Sequence, residues 1–251
     1  MKKFIALISV LMLIGLFVRD AKAQEKEELW LVSEEVVYPE KYEQYVEVSK
    51  ELIELCKAEN FPYSYNLWSS GPFHFALWYP IEELNDITKI ENAWDGIVEK
   101  FGEENFHRFQ ECIKSTEDKV MANLPDLYYE HEIPRLSEEE TGYCYWQVIS
   151  AKKGYEKKIE ELFSKAAILL KEKDAPYDIY IGKGKIGYKQ PVYFAWSYGK
   201  DRTDFRAKQK EFFSVVGEDW TKLNSEIVNY IDDISNVDEW WNHDLSYQPE
   251  K

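Results

Sequence analysis

The sequence is poor in the residues that most often carry catalysis or covalent cross-links. It has three cysteines and four histidines among 251 residues. An odd number of cysteines leaves at least one thiol unpaired, and no two of them have the CxxC spacing of a redox pair or a zinc site. The GxSxG, HExxH, Walker A and EF-hand patterns are all absent from the sequence. Motifs therefore assign no reaction class.

Positive charge is scarce as well. The chain has 31 lysines and arginines against 47 aspartates and glutamates, which gives a formal net charge of -16. Such a chain repels nucleic-acid phosphates and anionic lipid surfaces, so we expect no nucleic-acid partner and no membrane partner for the mature protein. Aromatic residues are abundant, with 9 Trp, 18 Tyr and 13 Phe, and they supply apolar area for a sizeable core.

Only the N-terminus has a long apolar run. Lys2 and Lys3 precede apolar residues 4–18, and residues 21–23 have the small-x-small pattern that signal peptidase reads. The apolar run is shorter than the roughly 20 residues that a membrane-spanning helix needs. We interpret residues 1–23 as a cleaved signal peptide and expect an exported protein, periplasmic or extracellular. A membrane anchor is the alternative.

The rest of the chain contains an internal similarity. Five short stretches recur in the same order in two halves, at separations of 112 to 119 residues. The pairs are Trp30–Val32 with Trp146–Val148, Pro62–Tyr63 with Pro176–Tyr177, Phe75–Tyr79 with Phe194–Tyr198, Phe101–Glu104 with Val216–Asp219, and Tyr128–Glu132 with Trp240–Asp244. We interpret this as a tandem duplication, with a first repeat at 24–134, a linker at 135–142 and a second repeat at 143–251.

Each half has the predicted order strand, helix, strand, strand, helix, strand. In the first half the strands are predicted at 29–37, 62–68, 73–79 and 127–133, with a helix beginning at Pro39 and a second helix carrying Phe106, Phe109, Ile113 and Val120. In the second half they are predicted at 143–150, 177–187, 191–198 and 239–247, with helices from Tyr155 to Leu170 and from Trp220 to Ile234.

This order is that of the ferredoxin-like βαββαβ fold, in the α+β class. The predicted strands at 73–79 and 192–196 are apolar at both odd and even positions, which point to opposite faces of the sheet. We therefore expect both sheet faces to be covered, most simply by the sheet of the other half. In these features the chain resembles the dimeric α+β barrel superfamily, which includes antibiotic-biosynthesis-type monooxygenases and haem-dependent chlorite dismutase-like proteins, here with two protomers fused. The resemblance implies an intrachain pseudo-dimeric barrel and a pocket between sheet and helices. It carries no catalytic motif.

Two further patterns have ordinary structural explanations. Residues 182–187 spell GxGxxG, but another strand follows instead of the helix that a dinucleotide site requires, so we predict a hairpin. Cys56, Cys112 and Cys144 are typical of small buried side chains, and a bridge between Cys56 and Cys112 is the alternative.

A histidine follows aromatic residues at the predicted end of each half. Alternate residues of a strand share a face, which places His131 with Tyr129 and His243 with Trp241. A histidine beside an aromatic ring suits proton transfer, so His131 and His243 are the catalytic candidates. A local hydrogen bond at a strand end is the alternative. Neighbouring carboxylates point the other way, so we predict no metal site.

Aromatic residues on strands are the candidate ligand contacts, although most of them are expected to be core. We select Trp78, Tyr129, Trp196 and Trp241. The haem-binding members of the resembled superfamily use a histidine ligand, and neither His74 nor His107 lies in a motif like theirs. No cofactor is therefore expected.

Three functions are compatible with these features. The first is a binding protein for a small apolar or aromatic molecule, held in a pocket between sheet and helices. The second is a cofactor-independent monooxygenase-like enzyme in which a histidine assists proton transfer. The third is a cell-surface glycan-binding protein that stacks Trp and Tyr on sugar rings. The oligomeric state does not follow from the sequence.

Overall fold

A computed structural model describes residues 28–249, which form eight strands and five helices. The strands are β1 Leu29–Val37, β2 Asn66–Ser69, β3 His74–Ile81, β4 Ile113–Asn123, β5 Tyr143–Ala151, β6 Tyr180–Ile186, β7 Val192–Gly199 and β8 Ile231–Trp241. The helices are α1 Tyr42–Ala58, α2 Asn85–Phe101, α3 Glu103–Gln110, α4 Glu156–Lys173 and α5 Arg202–Val228. The predicted signal peptide lies outside the described residues. In the described part of the chain, no helix is long and apolar enough to cross a membrane.

The strands form one closed antiparallel barrel in the order β1–β3–β2–β8–β5–β7–β6–β4. The first four strands are neighbours in the order β4–β1–β3–β2, and the last four in the order β8–β5–β7–β6. The two groups meet where β2 pairs with β8 and where β4 pairs with β6. The predicted α+β class is therefore confirmed.

Both faces of the barrel wall are buried. On the outer face, Leu31, Phe75 and Tyr79 pack with residues of α1 and α2 in one apolar cluster. On the inner face, Trp68 and Met121 of the first half pack with Trp146, Trp196 and other residues of the second half. Because successive residues of a strand point to opposite faces, burial of both faces explains why these strands are apolar at both parities.

The predicted last strand of each half is wrong. Residues 127–133 hold no strand, since β4 ends at Asn123, and residues 239–247 are strand only up to Trp241. Ile113 and Val120, predicted on a helix, lie on β4, while Ile231 and Ile234, predicted on the preceding helix, lie on β8. Residues 114–118 of β4 and 232–236 of β8 are exposed and mostly polar, so these segments lack the alternation by which a strand is recognised.

The matched pair of histidines is affected by this correction. His131 lies eight residues after the end of β4, whereas His243 lies two residues after the end of β8, in a short 3-10 turn. The two histidines therefore occupy different positions in their halves, and neither lies on a strand.

The hairpin prediction for residues 182–187 is confirmed, because β6 runs into a turn and then pairs with β7. A Cβ on Gly184 would come within 2.5 Å of Val192 Cγ1 and 2.8 Å of Tyr188 Cδ2, so this glycine serves close packing. Cys56, Cys112 and Cys144 are free, buried thiols in the structure.

Two tyrosines beyond the last strands pack into the opposite half. Tyr129 pairs with Ile179, and its hydroxyl donates to the carbonyl of Ala175 at 2.9 Å. Tyr247 pairs with Tyr65, and its hydroxyl donates to the carbonyl of Phe61 at 3.0 Å. Each half therefore contributes a C-terminal segment to the packing of the other.

Candidate functional site

The first half contains an apolar cavity between the barrel wall and its helices. This cavity, here called the layer cavity, has a volume of about 440 Å³ and is lined by the outer face of β1, β3 and β4 and by all three helices of that half. Its apolar walls include Leu31, Leu77, Ile90, Trp94 and Phe109. It lies between sheet and helices, which is the location expected for a ligand pocket.

Glu35 is a buried carboxyl group in the wall of the layer cavity. It lies on β1 with 9% of its surface exposed, and the hydroxyl of Tyr45 on α1 donates to its Oε2 at 2.7 Å. Burial raises the pKa of Glu35 to about 7, the hydrogen bond from Tyr45 opposes the rise, and the charge of Asp118 adds to it. Near neutral pH this carboxyl exists in both protonation states, as a proton-transfer group requires.

Tyr45 is held as a hydrogen-bond donor. Its ring stacks on Phe75 and Phe109, with centroids 4.8 and 5.7 Å away. Burial, together with the neighbouring Glu35, raises the pKa of Tyr45 well above its usual value, so the hydroxyl keeps its proton. Tyr45 therefore orients the Glu35 carboxyl and favours its ionised form, while its own hydroxyl stays protonated.

The same positions of the second half hold no such pair. Glu35 is the seventh residue of the nine-residue β1, and the seventh residue of the nine-residue β5 is Ile149. Tyr45 is the fourth residue of α1, and the fourth residue of α4 is Ile159. Both isoleucines are buried. Apolar side chains thus satisfy packing at this place, and the fold itself does not require a carboxyl there.

A second cavity lies inside the barrel. This barrel cavity has a volume of about 550 Å³, and both halves contribute to its wall. Trp78, Trp146 and Trp196 stack in succession, with centroids 5.2 and 4.7 Å apart. Below the Trp78–Trp146 pair, a smaller cavity of about 220 Å³ reaches toward the opposite end of the barrel.

Three of the four predicted ligand contacts come together in the barrel cavity: Trp78, Trp196 and Trp241. Tyr129 does not join them, because it packs outside the barrel against α4 residues of the second half.

The predicted catalytic histidines line neither the layer cavity nor the barrel cavity. His131 contacts Asp178 through Nδ1 at 2.5 Å and Tyr129 through Nε2 at 3.1 Å. His243 contacts the carbonyl of Thr141 at 2.9 Å and stacks on Trp241 at 4.2 Å. Both rings therefore connect the short segments after the last strands to residues that are distant in the sequence, Asp178 and Thr141.

Two buried carboxyl groups were not predicted, Glu35 and Glu239. The indole Nε1 of Trp146 donates to Glu239 at 2.7 Å inside the barrel, and burial raises the pKa of Glu239 to about 7. The only signal for Glu35 in the sequence is its odd-numbered position on the predicted strand, which places it on the same face as the apolar Leu31 and Val37. Over residues 28–249, no group of three or more His, Cys, Asp or Glu side chains is arranged to hold a metal ion.

No family model matches the sequence, and no curated protein matches it. Solved structures do resemble the fold. An anthrone oxidase-like protein gives a TM-score of 0.57 at 14% identity, over 88% of this chain and 93% of that one. A protein assigned as a monooxygenase from Fusobacterium nucleatum gives 0.55 at 7% identity, over 91% and 99% of the two chains. A chlorite dismutase variant from Candidatus Nitrospira defluvii gives 0.53 at 7% identity, over 86% and 92%.

These neighbours are antiparallel-sheet α+β proteins of the dimeric α+β barrel type, and at such low identity they show the fold alone. The resemblance predicted from the sequence is confirmed at that level.

Proposed function

We propose that this protein is a cofactor-independent oxygenase that binds a small apolar aromatic substrate in the layer cavity and uses Glu35 as its proton acceptor. The observation that carries the proposal is a buried carboxyl group whose pKa is raised to about 7, in the wall of a cavity lined mainly by apolar side chains. Similarity to an anthrone oxidase-like protein and to a protein assigned as a monooxygenase supports this class of reaction at the level of fold.

The first step is removal of a proton from carbon. Ionised Glu35 accepts a proton from an activated CH2 group, such as the one between two aryl rings in anthrone, and leaves a carbanion stabilised by the rings. Tyr45 keeps the Glu35 carboxylate oriented through its hydrogen bond.

Dioxygen then oxidises the carbanion. One electron passes to dioxygen and the two radicals combine, which forms a carbon–oxygen bond; protonation by Glu35 gives a hydroperoxide. Loss of the second C–H proton breaks the O–O bond and yields a carbonyl group and water. In sum, one CH2 group and one O2 give one C=O and one H2O, so no external reductant is needed.

Anthrone is the probe substrate for the test, with oxygen uptake and anthraquinone absorbance as readouts. We expect Glu35→Gln to lower kcat by at least about 100-fold while anthrone still binds, because the amide cannot accept the proton. Glu239→Gln is the matched control, since it removes the other buried carboxyl from a place outside the layer cavity. Full turnover by Glu35→Gln would refute the role of Glu35.

The pH profile gives an independent readout. Because the ionised form is the active one, kcat is expected to rise with pH through about 7. In Tyr45→Phe the hydrogen bond that lowers the pKa of Glu35 is lost, so the midpoint is expected to move to higher pH. An unmoved midpoint would show that another group titrates.

A binding role without turnover is the second candidate, and the apolar layer cavity is the observation that favours it. Saturable binding of anthrone without oxygen uptake by the wild-type protein would support that function over the enzyme. Glycan binding has less support, because among residues 28–249 Trp240, at 39%, is the one exposed tryptophan.

We also propose, on the recurrent sequence stretches and the like strand orders of the two halves, that the chain arose by duplication of a ferredoxin-like unit. Export remains a proposal that rests on residues 1–23. N-terminal sequencing of the protein from its native host tests it, since a mature chain that begins at Gln24 is expected.

A further inference from the structure

The wall of the barrel cavity contains polar atoms that have no partner. The indole Nε1 of Trp78, the Oδ1 of Asn123 and the hydroxyl of Tyr128 are buried without a hydrogen bond to any described residue. All three side chains line the barrel cavity. Buried polar atoms are nearly always paired in folded proteins, so three orphans around one cavity indicate that something else pairs with them there.

The neighbours of these atoms do not satisfy them. The Nδ2 of Asn123 donates to Glu28 at 3.1 Å, which leaves its Oδ1 free to accept. By contrast, the indole of Trp146 donates to Glu239 and the indole of Trp196 donates to the hydroxyl of Tyr198. The atoms without a partner are thus two donors and one acceptor, in a wall where the indoles of Trp146 and Trp196 are paired.

The shape of the wall favours a flat occupant. Trp78 and Trp146 stack at an interplanar angle of 12°, Trp146 and Trp196 at 28°, and Trp196 and Tyr180 at 24°. Aromatic faces in such a row offer stacking area to another planar ring. With a volume of about 550 Å³, the cavity has room for a fused ring system of two or three rings.

The charge around the cavity restricts the occupant further. Glu28, Glu130 and Glu138 contribute to its lining, and no lysine, arginine or histidine is found among the described residues that line it. A negatively charged ligand would be repelled by these carboxylates and would find no cation to pair with.

We propose that the barrel cavity is a second binding site, for a planar heteroaromatic molecule that is uncharged or positively charged and carries a ring carbonyl next to a ring N–H. Separate acceptor atoms of the ring system pair with the indole of Trp78 and the hydroxyl of Tyr128, the N–H donates to Asn123, and the rings stack on the aromatic side chains of the wall. This site is separate from the layer cavity and does not rest on the oxygenase reaction.

Lumiflavin is the probe, because it is flat, uncharged at neutral pH and has ring carbonyls flanking an N–H. We expect saturable quenching of its fluorescence by the full-length protein, through stacking on tryptophan. Flavin mononucleotide, which has the same ring and an added ribityl phosphate chain, is expected to bind at least about tenfold more weakly. Failure of lumiflavin to bind, or equal binding of the two flavins, would overturn the proposal.

Variants identify the site. Tyr128→Phe removes only the unpaired hydroxyl, so the protein should fold as before while lumiflavin binds about 3- to 10-fold more weakly. Tyr145→Phe is the matched control, because its hydroxyl lies outside the barrel and donates to Asn236 at 2.8 Å; its affinity should be unchanged. Equal affinity in both variants would place the ligand elsewhere. The comparison of the two flavins uses wild-type protein and stands whether or not the variants fold.

Discussion

Glu35 and Glu239 are both buried carboxyl groups, but they face opposite sides of the barrel wall. Glu35 faces the helices and accepts from Tyr45, whereas Glu239 faces the barrel interior and accepts from Trp146. Burial raises the pKa of each to about 7. In the unfolded chain such a carboxyl releases its proton near pH 4.5, so between pH 4.5 and 7 the native state binds more protons than the unfolded state. Each group therefore makes the protein less stable as pH rises through that window.

Glu239→Gln tests this at the level of stability. The amide keeps an acceptor for Trp146 but does not ionise, so we expect the variant to lose less stability than wild type between pH 5 and pH 8, by on the order of 2 to 3 kcal/mol. Urea unfolding at both pH values measures the difference. Glu43→Gln, an exposed position on α1, is the control and should keep the wild-type pH dependence. An unchanged dependence in Glu239→Gln would show that Glu239 is ionised in the native state throughout.

The sequence did not reveal these residues, for a physical reason. A single glutamate in a strand usually points to solvent, and parity alone places Glu35 with Leu31 and Val37 without showing that α1 covers it. The tryptophans were easier to select, because large aromatic side chains on strands are seldom left in water. Trp78, Trp196 and Trp241 accordingly meet in one cavity, although it lies inside the barrel instead of beneath the helices.

At the scale of elements, predictions held where the pattern is strong. β1, β3, β5 and β7 lie close to their predicted bounds, as does α4, because each has a continuous apolar face. β4 was missed because residues 114–118 are exposed and polar, and because Ile113 and Val120 are spaced as on a helix. Its pairing with β1 and β6, and not its own composition, makes this segment a strand.

Gly217 divides the long helix α5 into two segments. Its φ of 56° and ψ of -141° are open to glycine only, and a Cβ there would meet no neighbouring atom. Backbone strain alone therefore sets the effect of Gly217→Ala, which we expect to destabilise the protein by about 1 to 3 kcal/mol. Gly96→Ala, in the regular helix α2 with open space around it, should instead stabilise by about 0.5 to 1 kcal/mol. Chemical denaturation compares the two; equal effects would contradict the assignment of the kink.

At the scale of the whole molecule, the two halves are interlocked. Tyr247 reaches the core of the first half, where its hydroxyl donates to the carbonyls of Phe61 and Cys56, and Tyr129 does the same in the second half with Ala175. Because each core is completed by the other half's segment, neither half has its full packing alone, and we expect both to unfold together.

Tyr247→Phe tests the interlock. Loss of the hydroxyl leaves the buried carbonyl of Phe61 short of a donor, while the carbonyl of Cys56 keeps its bond from the Phe61 N–H. The change should cost about 1 to 2 kcal/mol, in a single transition seen alike by tryptophan fluorescence and far-UV circular dichroism. Tyr155→Phe, at a residue with 47% of its surface exposed, should change stability by less than about 0.5 kcal/mol. Two separate transitions in Tyr247→Phe would mean that the halves are independent.

Closure of the barrel also bears on self-association. Segments such as Val192–Trp196 have the β-rich, uncharged composition of amyloid-forming peptides. In the native state each described strand has a neighbour on both sides, so no free ladder is offered to another molecule. The shortest pairing between neighbouring strands is that of β2 with β8, which involves two residues of each strand. Fibril growth should therefore start from molecules in which the pairing of β2 with β8 is lost, and ligands that stabilise this pairing should delay aggregation.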